Sequence, residues 1–161
     1  MAKNKEVKTN AMRILEKNKI VYKHYTYECD AFVDALQIAD MLELPYEKVY
    51  KTLVTIGNSR NYYVFVIPIA EELDLKKAAK SVGEKAVSMI PVKEINAVTG
   101  YIRGGCTAIG MKKQYVTRVD DSAKQLKYMI VSGGRIGSQI ELEPEGLLQA
   151  AQAEYADLIL K

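Results

Sequence analysis

With one histidine and two cysteines in 161 residues, the chain is poor in the side chains that most hydrolytic and metal chemistry depends on. A Ser-His-Asp or Cys-His arrangement would have to use His24, which stands in a strand-like stretch where a lone histidine is ordinarily structural. Cys29 and Cys106 form no CxxC motif or Cys/His cluster, which argues against a disulfide framework and a zinc site. No metal and no cofactor is expected. Walker A and GxGxxG patterns are both absent: Gly104-Gly105 and Gly133-Gly134-Arg135-Ile136-Gly137 match neither, so no nucleotide-hydrolysing or dinucleotide site is indicated. The longest apolar run, Tyr62 to Ala70, is about half of what crosses a bilayer. Met1 to Glu6 lacks the apolar centre of a signal peptide. A soluble, cytoplasmic protein without a membrane partner is expected.

What remains is ordinary globular composition. Charged residues at 27% and hydrophobic residues at 48% leave no reason to expect disorder. The length suits one domain over residues 1–161 with a core of its own. A net charge of +3 permits a nucleic-acid partner without demanding one.

Hydrophobic spacing predicts a first helix from about Lys5 to Asn18, with Val7, Ala11, Ile14 and Leu15 inward. A strand follows at Val21 to Tyr27. A second helix opens near Asp30 and runs through Leu42, with Val33, Leu36, Ala39 and Leu42 on its inner face. Two β-rich runs, Lys51–Ile56 and Asn61–Pro68, flank Gly57-Asn58-Ser59-Arg60 and read as a hairpin. Asp74 is the expected N-cap of a helix over Leu75–Val82 that ends at Gly83. Its inner stripe reads Leu75, Ala78, Ala79 and Val82, with Lys76, Lys77 and Lys80 outside. Strands are expected at Ala86–Met89, Tyr115–Val119, Tyr128–Val131 and Gln139–Leu142. Helices are expected over Pro91–Val98 and from Pro144 to about Ala153. The pattern is a mixed α/β domain with a largely antiparallel sheet and flanking helices.

The stretch Thr99 to Gly110 holds four of the ten glycines and shows neither a helical nor a strand period. Such a loop can aim several backbone N–H groups at one point, which suits a phosphate or a developing oxyanion. A second glycine-rich stretch runs from Val131 to Gly137. Lys51 heads an apolar strand, where its ammonium either snorkels harmlessly or serves a phosphate or ester oxygen. Tyr27 and Phe32 flank the preceding loop and either pack in the core or wall a pocket.

Val49-Tyr50-Lys51-Thr52-Leu53, Leu73 to Lys80, Thr99-Gly100-Tyr101 with Gly104, Gly105 and Gly110, Lys112-Lys113, and Val131 to Arg135 with Gly137 stand in an order that resembles the YbaK/EbsC family. These are free-standing aminoacyl-tRNA deacylases similar to the editing domain of bacterial prolyl-tRNA synthetase. The resemblance covers about Lys8 to Leu158. It implies the editing-domain fold and hydrolysis of mischarged tRNA, Cys-tRNA(Pro) first, with Ala-tRNA(Pro) as the narrower alternative. Lys51 then matches the family's essential lysine, which contacts the 3′-terminal nucleotide. Gly104, Gly105 and Thr107 match the loop around the aminoacyl group, Ser132 and Gly133 match the second loop, and Tyr27 and Phe32 match pocket aromatics. Thr52, Gly100 and Tyr101 belong to the same substrate-binding motifs. Lys76, Lys77, Lys80, Arg103, Lys112, Lys113 and Arg135 become candidates for the acceptor stem, positioning the tRNA through its phosphates. The implied partners are aminoacyl-tRNA and a prolyl-tRNA synthetase, not DNA.

Two positions depart from the family pattern: Thr107-Ala108 replaces a Ser-Pro common in relatives, and Gln139 stands where some have aspartate, so no acid role is assigned there. An aminoacyl ester is already activated, and a substrate cysteine can bring its own nucleophile, so a chain without an obvious base remains chemically sufficient. Cys106 offers a competing covalent route, set against its ordinary reading as a small buried thiol. Outside enzymology, the same residues suit a non-catalytic RNA-binding module or a small-ligand domain.

Overall fold

The computed structural model describes residues 8–28 and 34–161. Along the chain run α1 (Asn10–Lys17), β1 (Tyr22–Thr26), α2 (Ala35–Met41), β2 (Tyr50–Gly57), β3 (Tyr62–Pro68), α3 (Leu75–Val82), β4 (Val87–Met89), α4 (Ile95–Thr99), β5 (Val116–Asp120), β6 (Met129–Ser132), β7 (Ser138–Leu142), α5 (Pro144–Ala151) and β8 (Glu154–Ala156). Short 3₁₀ turns precede β2, α4 and β6.

The β2–β3 hairpin organises the larger sheet. Its register runs from Tyr50 opposite Pro68 to Ile56 opposite Tyr62. Alternation sends Val64 and Val66 into one core with α1, β6 and β7, and Tyr63, Phe65 and Ile67 into a second core beneath α3. Burial on both faces explains why β3 reads as an unbroken apolar run. The five strands lie in the order β4-β2-β3-β5-β8, with β3–β5 and β5–β8 parallel. A separate antiparallel sheet, β1-β7-β6, meets the first at a parallel bridge between Val49 and Ile130.

The single mixed sheet expected from sequence is therefore two sheets, and β8 is an addition. Helix α5 ends at Ala151 because Gln152 turns left-handed at φ 54°, which frees Glu154–Ala156 to pair with β5. Of the first predicted helix, residues 5–7, Val7 among them, lie outside the described residues; Thr9 caps α1, and Ala11, Met12 and Leu15 are buried. In α2 the cap is Asp34, in a reciprocal capping box with Gln37. That start turns Ile38 and Ala39 inward and leaves Leu36 exposed, against the predicted stripe; Val33 lies outside the described residues. In α3 the buried positions are Ala78 and Ala79, while Leu75 lies exposed in the first turn.

Helix α3 has the predicted bounds, and its cap is testable. The Asp74 carboxylate accepts from the Lys76 and Lys77 N–H groups at 3.0 and 3.2 Å. Asp74→Ala is expected to cost about 1 kcal/mol, a fall of about 2–4 °C in melting temperature by calorimetry for a chain of this size.

Candidate active site

β4 is only three residues long and covers β2 at Thr55–Gly57 alone. Beyond Val54, whose carbonyl accepts from Ile90 N–H at 3.2 Å, that edge of β2 opens onto a cleft of about 520 Å³. The volume lies in the range of small-molecule sites, about 300–1,000 Å³. One bank carries Lys51 and Thr52. Arg103, Gly104 and Cys106 of the first glycine loop also line the cleft, as does Ser132 of the second; the parallel bridge between Val49 and Ile130 brings Ser132 alongside the start of β2. Ile38, Val49, Ile69, Ile90 and Ile95 supply apolar lining.

The N-terminus of α1 holds both glycine loops in place. Thr9 Oγ1 donates to the Gly133 carbonyl, and Asn10 Nδ2 donates to the Gly110 carbonyl at 3.0 Å. The loops also touch each other: a Cβ on Gly105 would stand 2.7 Å from Arg135 Cα and 2.8 Å from Ile136 N. Only glycine permits this approach. In the first loop Gly100 closes α4 at φ 87°, and Tyr101 is buried with its hydroxyl donating to the Ile109 carbonyl. Thr107 is buried, and its hydroxyl accepts from Ile109 N–H at 3.4 Å. Gly100, Tyr101 and Thr107 thus shape the loop without lining the cleft.

The backbone donors differ from the sequence expectation at one point. Gly105 N–H is taken by the Ile102 carbonyl at 2.9 Å and does not face the cleft. Among the described residues, the N–H groups of Gly104 and Cys106 have no protein acceptor, and both residues line the cleft. They are the donors available for an oxyanion. The alternation of used and open amides was hidden in sequence, because it follows from the turn at Ile102–Gly105.

In the second loop Ser132 Oγ accepts from Gly134 N–H at 3.2 Å, and Gly133 N–H donates to the Ser138 carbonyl at 2.9 Å. Gly133 lies under Ser138, away from the cleft lining. His24 Nε2 pairs with Ser138 Oγ at 2.9 Å, so the lone histidine braces this loop. Tyr27 donates its N–H to the Gly137 carbonyl at 3.0 Å and does not line the cleft. Phe32 lies outside the described residues.

Lys51 is partly buried, and its Nζ donates to the Ile69 carbonyl at 3.3 Å. Burial lowers its pKa from the ordinary lysine value, and the nearby Glu72 and Glu71 oppose that shift. Of the candidate acceptor-stem cations, Arg103 borders the cleft and Arg135 lies exposed on the second loop. Lys76, Lys80 and Lys113 are exposed, and Lys112 donates to the Ala97 carbonyl at 3.2 Å. Lys77 leaves the predicted outer face to pair with Asp157 at 3.1 Å and the Ile159 carbonyl at 2.9 Å.

Cys106 faces the cleft, but burial pushes its thiol up to about 11, against a smaller lowering by the Thr99 hydroxyl. A thiol so raised is almost wholly protonated at neutral pH and a weak nucleophile. Alkylation by iodoacetamide, followed by mass spectrometry, is expected to be slow at pH 7 and to accelerate toward pH 11. Cys106→Ala is expected to retain cleavage activity. Among the described residues no cluster of three metal-ligating side chains occurs, and no helix is long and apolar enough to cross a membrane.

Residues 30–150 match the family model of the aminoacyl-tRNA editing domain. The chain belongs to that family. A curated protein of Enterococcus faecalis, EbsC, is 45% identical over 163 residues, spanning 100% of this chain and 99% of its own length. Its name gives it as a candidate Cys-tRNA(Pro)/Cys-tRNA(Cys) deacylase. The editing-domain fold recurs in a crystal structure of a candidate trans-editing enzyme for prolyl-tRNA synthetase, with a TM-score of 0.79 and 21% identity over 96% of this chain and 100% of that one. A hypothetical protein of known structure superposes with a TM-score of 0.82 and 22% identity over 92% and 97% of the two chains. At these identities the structural likenesses speak for the fold alone.

Proposed function

We propose that this editing-domain chain acts in trans as a deacylase of mischarged tRNA, with Cys-tRNA(Pro) as its principal substrate. The observation that carries the reading is a single, largely apolar cleft lined together by Lys51, Gly104 and Cys106, the last two with backbone N–H groups that no described protein group accepts. The terminal adenosine lies along the Lys51–Thr52 edge, and the ester carbonyl points at the two amides. The 45% identical relative supports the choice of cysteine.

Among the described residues the cleft lining offers no histidine, and its one carboxylate, Asp34, is engaged as the cap of α2. The site therefore works by positioning. The substrate thiol attacks its own ester carbonyl; the sulfur–carbon bond forms, the ester C–O bond breaks, and the thiol proton passes to the departing 3′ oxygen. A strained cyclic thioester leaves, and water opens it to free cysteine. Two preorganised amides stabilise the charge that develops on the carbonyl oxygen, each worth about 3 kcal/mol when it is well aimed.

The whole chain, residues 1–161, then acts as one domain in the cytoplasm. Arg103, Arg135 and Lys113 meet acceptor-stem phosphates, and a prolyl-tRNA synthetase supplies the choice of tRNA. Cleavage of Cys-, Ala-, Ser- and Pro-tRNA, measured in parallel, tests the reading. Cys-tRNA is expected to react far faster than Ser-tRNA, whose hydroxyl is the weaker nucleophile; equal rates refute thiol attack, and faster cleavage of Ala-tRNA moves the substrate to alanine.

A further inference from the structure

Gln139 lies on β7 directly opposite Ser132 of β6, and both line the cleft. The residue is only 5% exposed, and its side chain has no hydrogen-bond partner among the described residues. No fully enclosed side-chain nitrogen or oxygen there lacks a partner, so the Gln139 amide opens into the cleft rather than into the core. An amide open to the cleft and without a protein partner is left to water, whose place a ligand group can take.

An aminoacyl ester presents three kinds of polar group to such a cleft. Its carbonyl oxygen and its ribose and phosphate oxygens take donors, which Lys51, Arg103 and the Gly104 and Cys106 amides provide. Its α-amino group needs an acceptor. Asp34 is exposed and caps α2 through Gln37 N–H at 2.9 Å, and the half-buried Ser132 accepts from Gly134 N–H at 3.2 Å. Thr52 carries a hydroxyl that must place its own proton. Gln139 is the polar lining residue most enclosed by the fold, and its amide carbonyl has no protein donor among the described residues.

We propose that the Gln139 amide oxygen receives the α-amino group of the aminoacyl ester, so that the site admits only substrates with an unblocked amine. The inference rests on the deacylase reading and deepens it. A neutral acceptor serves the amine in both its protonated and its free form.

The test is calorimetric binding of 3′-cysteinylamido-3′-deoxyadenosine, whose amide replaces the labile ester, beside its N-acetyl form. Wild-type protein is expected to prefer the free amine about tenfold or more, the usual range for a hydrogen bond to a charged group. Gln139→Leu is expected to bring the free-amine form down to the affinity of the acetylated one and to leave the acetylated form unchanged. Gln139→Glu is expected to keep the preference and to make it grow as pH falls through the amine's pKa; this variant decides the matter if the leucine variant does not fold. A leucine variant that still prefers the free amine, a glutamate variant without the pH dependence, or wild type that binds neither form overturns the proposal. Wild type that shows the preference yet leaves Cys-tRNA intact refutes cleavage while upholding amine recognition.

Discussion

Lys51→Ala is expected to lower kcat/KM for Cys-tRNA(Pro) roughly 10- to 100-fold, the equivalent of one charge-assisted hydrogen bond. Fold stability should change little. Among the described residues the ammonium makes one hydrogen bond, to the Ile69 carbonyl at 3.3 Å, from a partly exposed position. The register of β2 against β3 rests on backbone pairing and on Tyr50, Val54 and their neighbours. A side chain that contributes so little to the fold and borders the cleft is free to serve a ligand. Single-turnover deacylation with thermal melting separates the two effects. Unchanged cleavage, or a collapse of stability in step with activity, contradicts the assigned role.

Gly105→Ala is expected to damage both stability and activity. The added methyl would meet Arg135 Cα and C and Ile136 N at 2.7–2.8 Å, and these are backbone atoms that no rotamer change can move. Overpacking of this sort costs about 1–3 kcal/mol. Relief requires the two glycine loops to part, which displaces Gly104, Cys106 and Ser132 from their common cleft. Deacylation is expected to fall at least tenfold even at temperatures where the variant remains folded. Gly83→Ala is the matched control: nothing lies within 4 Å of its would-be Cβ, although φ is +74°. It should lose about 1 kcal/mol of stability and keep its activity. Equal activity losses in the two variants would show that the contact between the loops has no bearing on the site.

Local signals announced most of the fold. The hairpin showed in two β-rich runs about Gly57-Asn58, and α3 showed in Asp74 and Gly83, because caps and turns are written in adjacent residues. The split into two sheets was not legible. It depends on Val49 meeting Ile130, a pairing between residues far apart in the chain. β8 was missed because Glu154-Tyr155-Ala156 is too short to show a period and gains its identity from parallel pairing with β5. At the site, Lys51 and the two glycine loops could be marked from their residue types, and the structure brings them to one cleft. Which amides remain open could not be read, since the turn that uses Gly105 N–H leaves no mark in composition. Gln139 offers no acid to mark it in the sequence, and its proposed role arises from its place opposite Ser132 in the cleft lining, a long-range pairing of β6 with β7.

The most direct measurement is amide chemical-shift mapping by NMR during titration with 3′-cysteinylamido-3′-deoxyadenosine. Binding in the proposed pose perturbs the amides of Thr52, Gly104, Cys106 and Ser132 together, and substitution of Lys51 by alanine weakens the response. Shifts confined to the small cleft beside Gly57 and Arg60, or to the exposed face of α3, contradict the assignment of this cleft as the aminoacyl site.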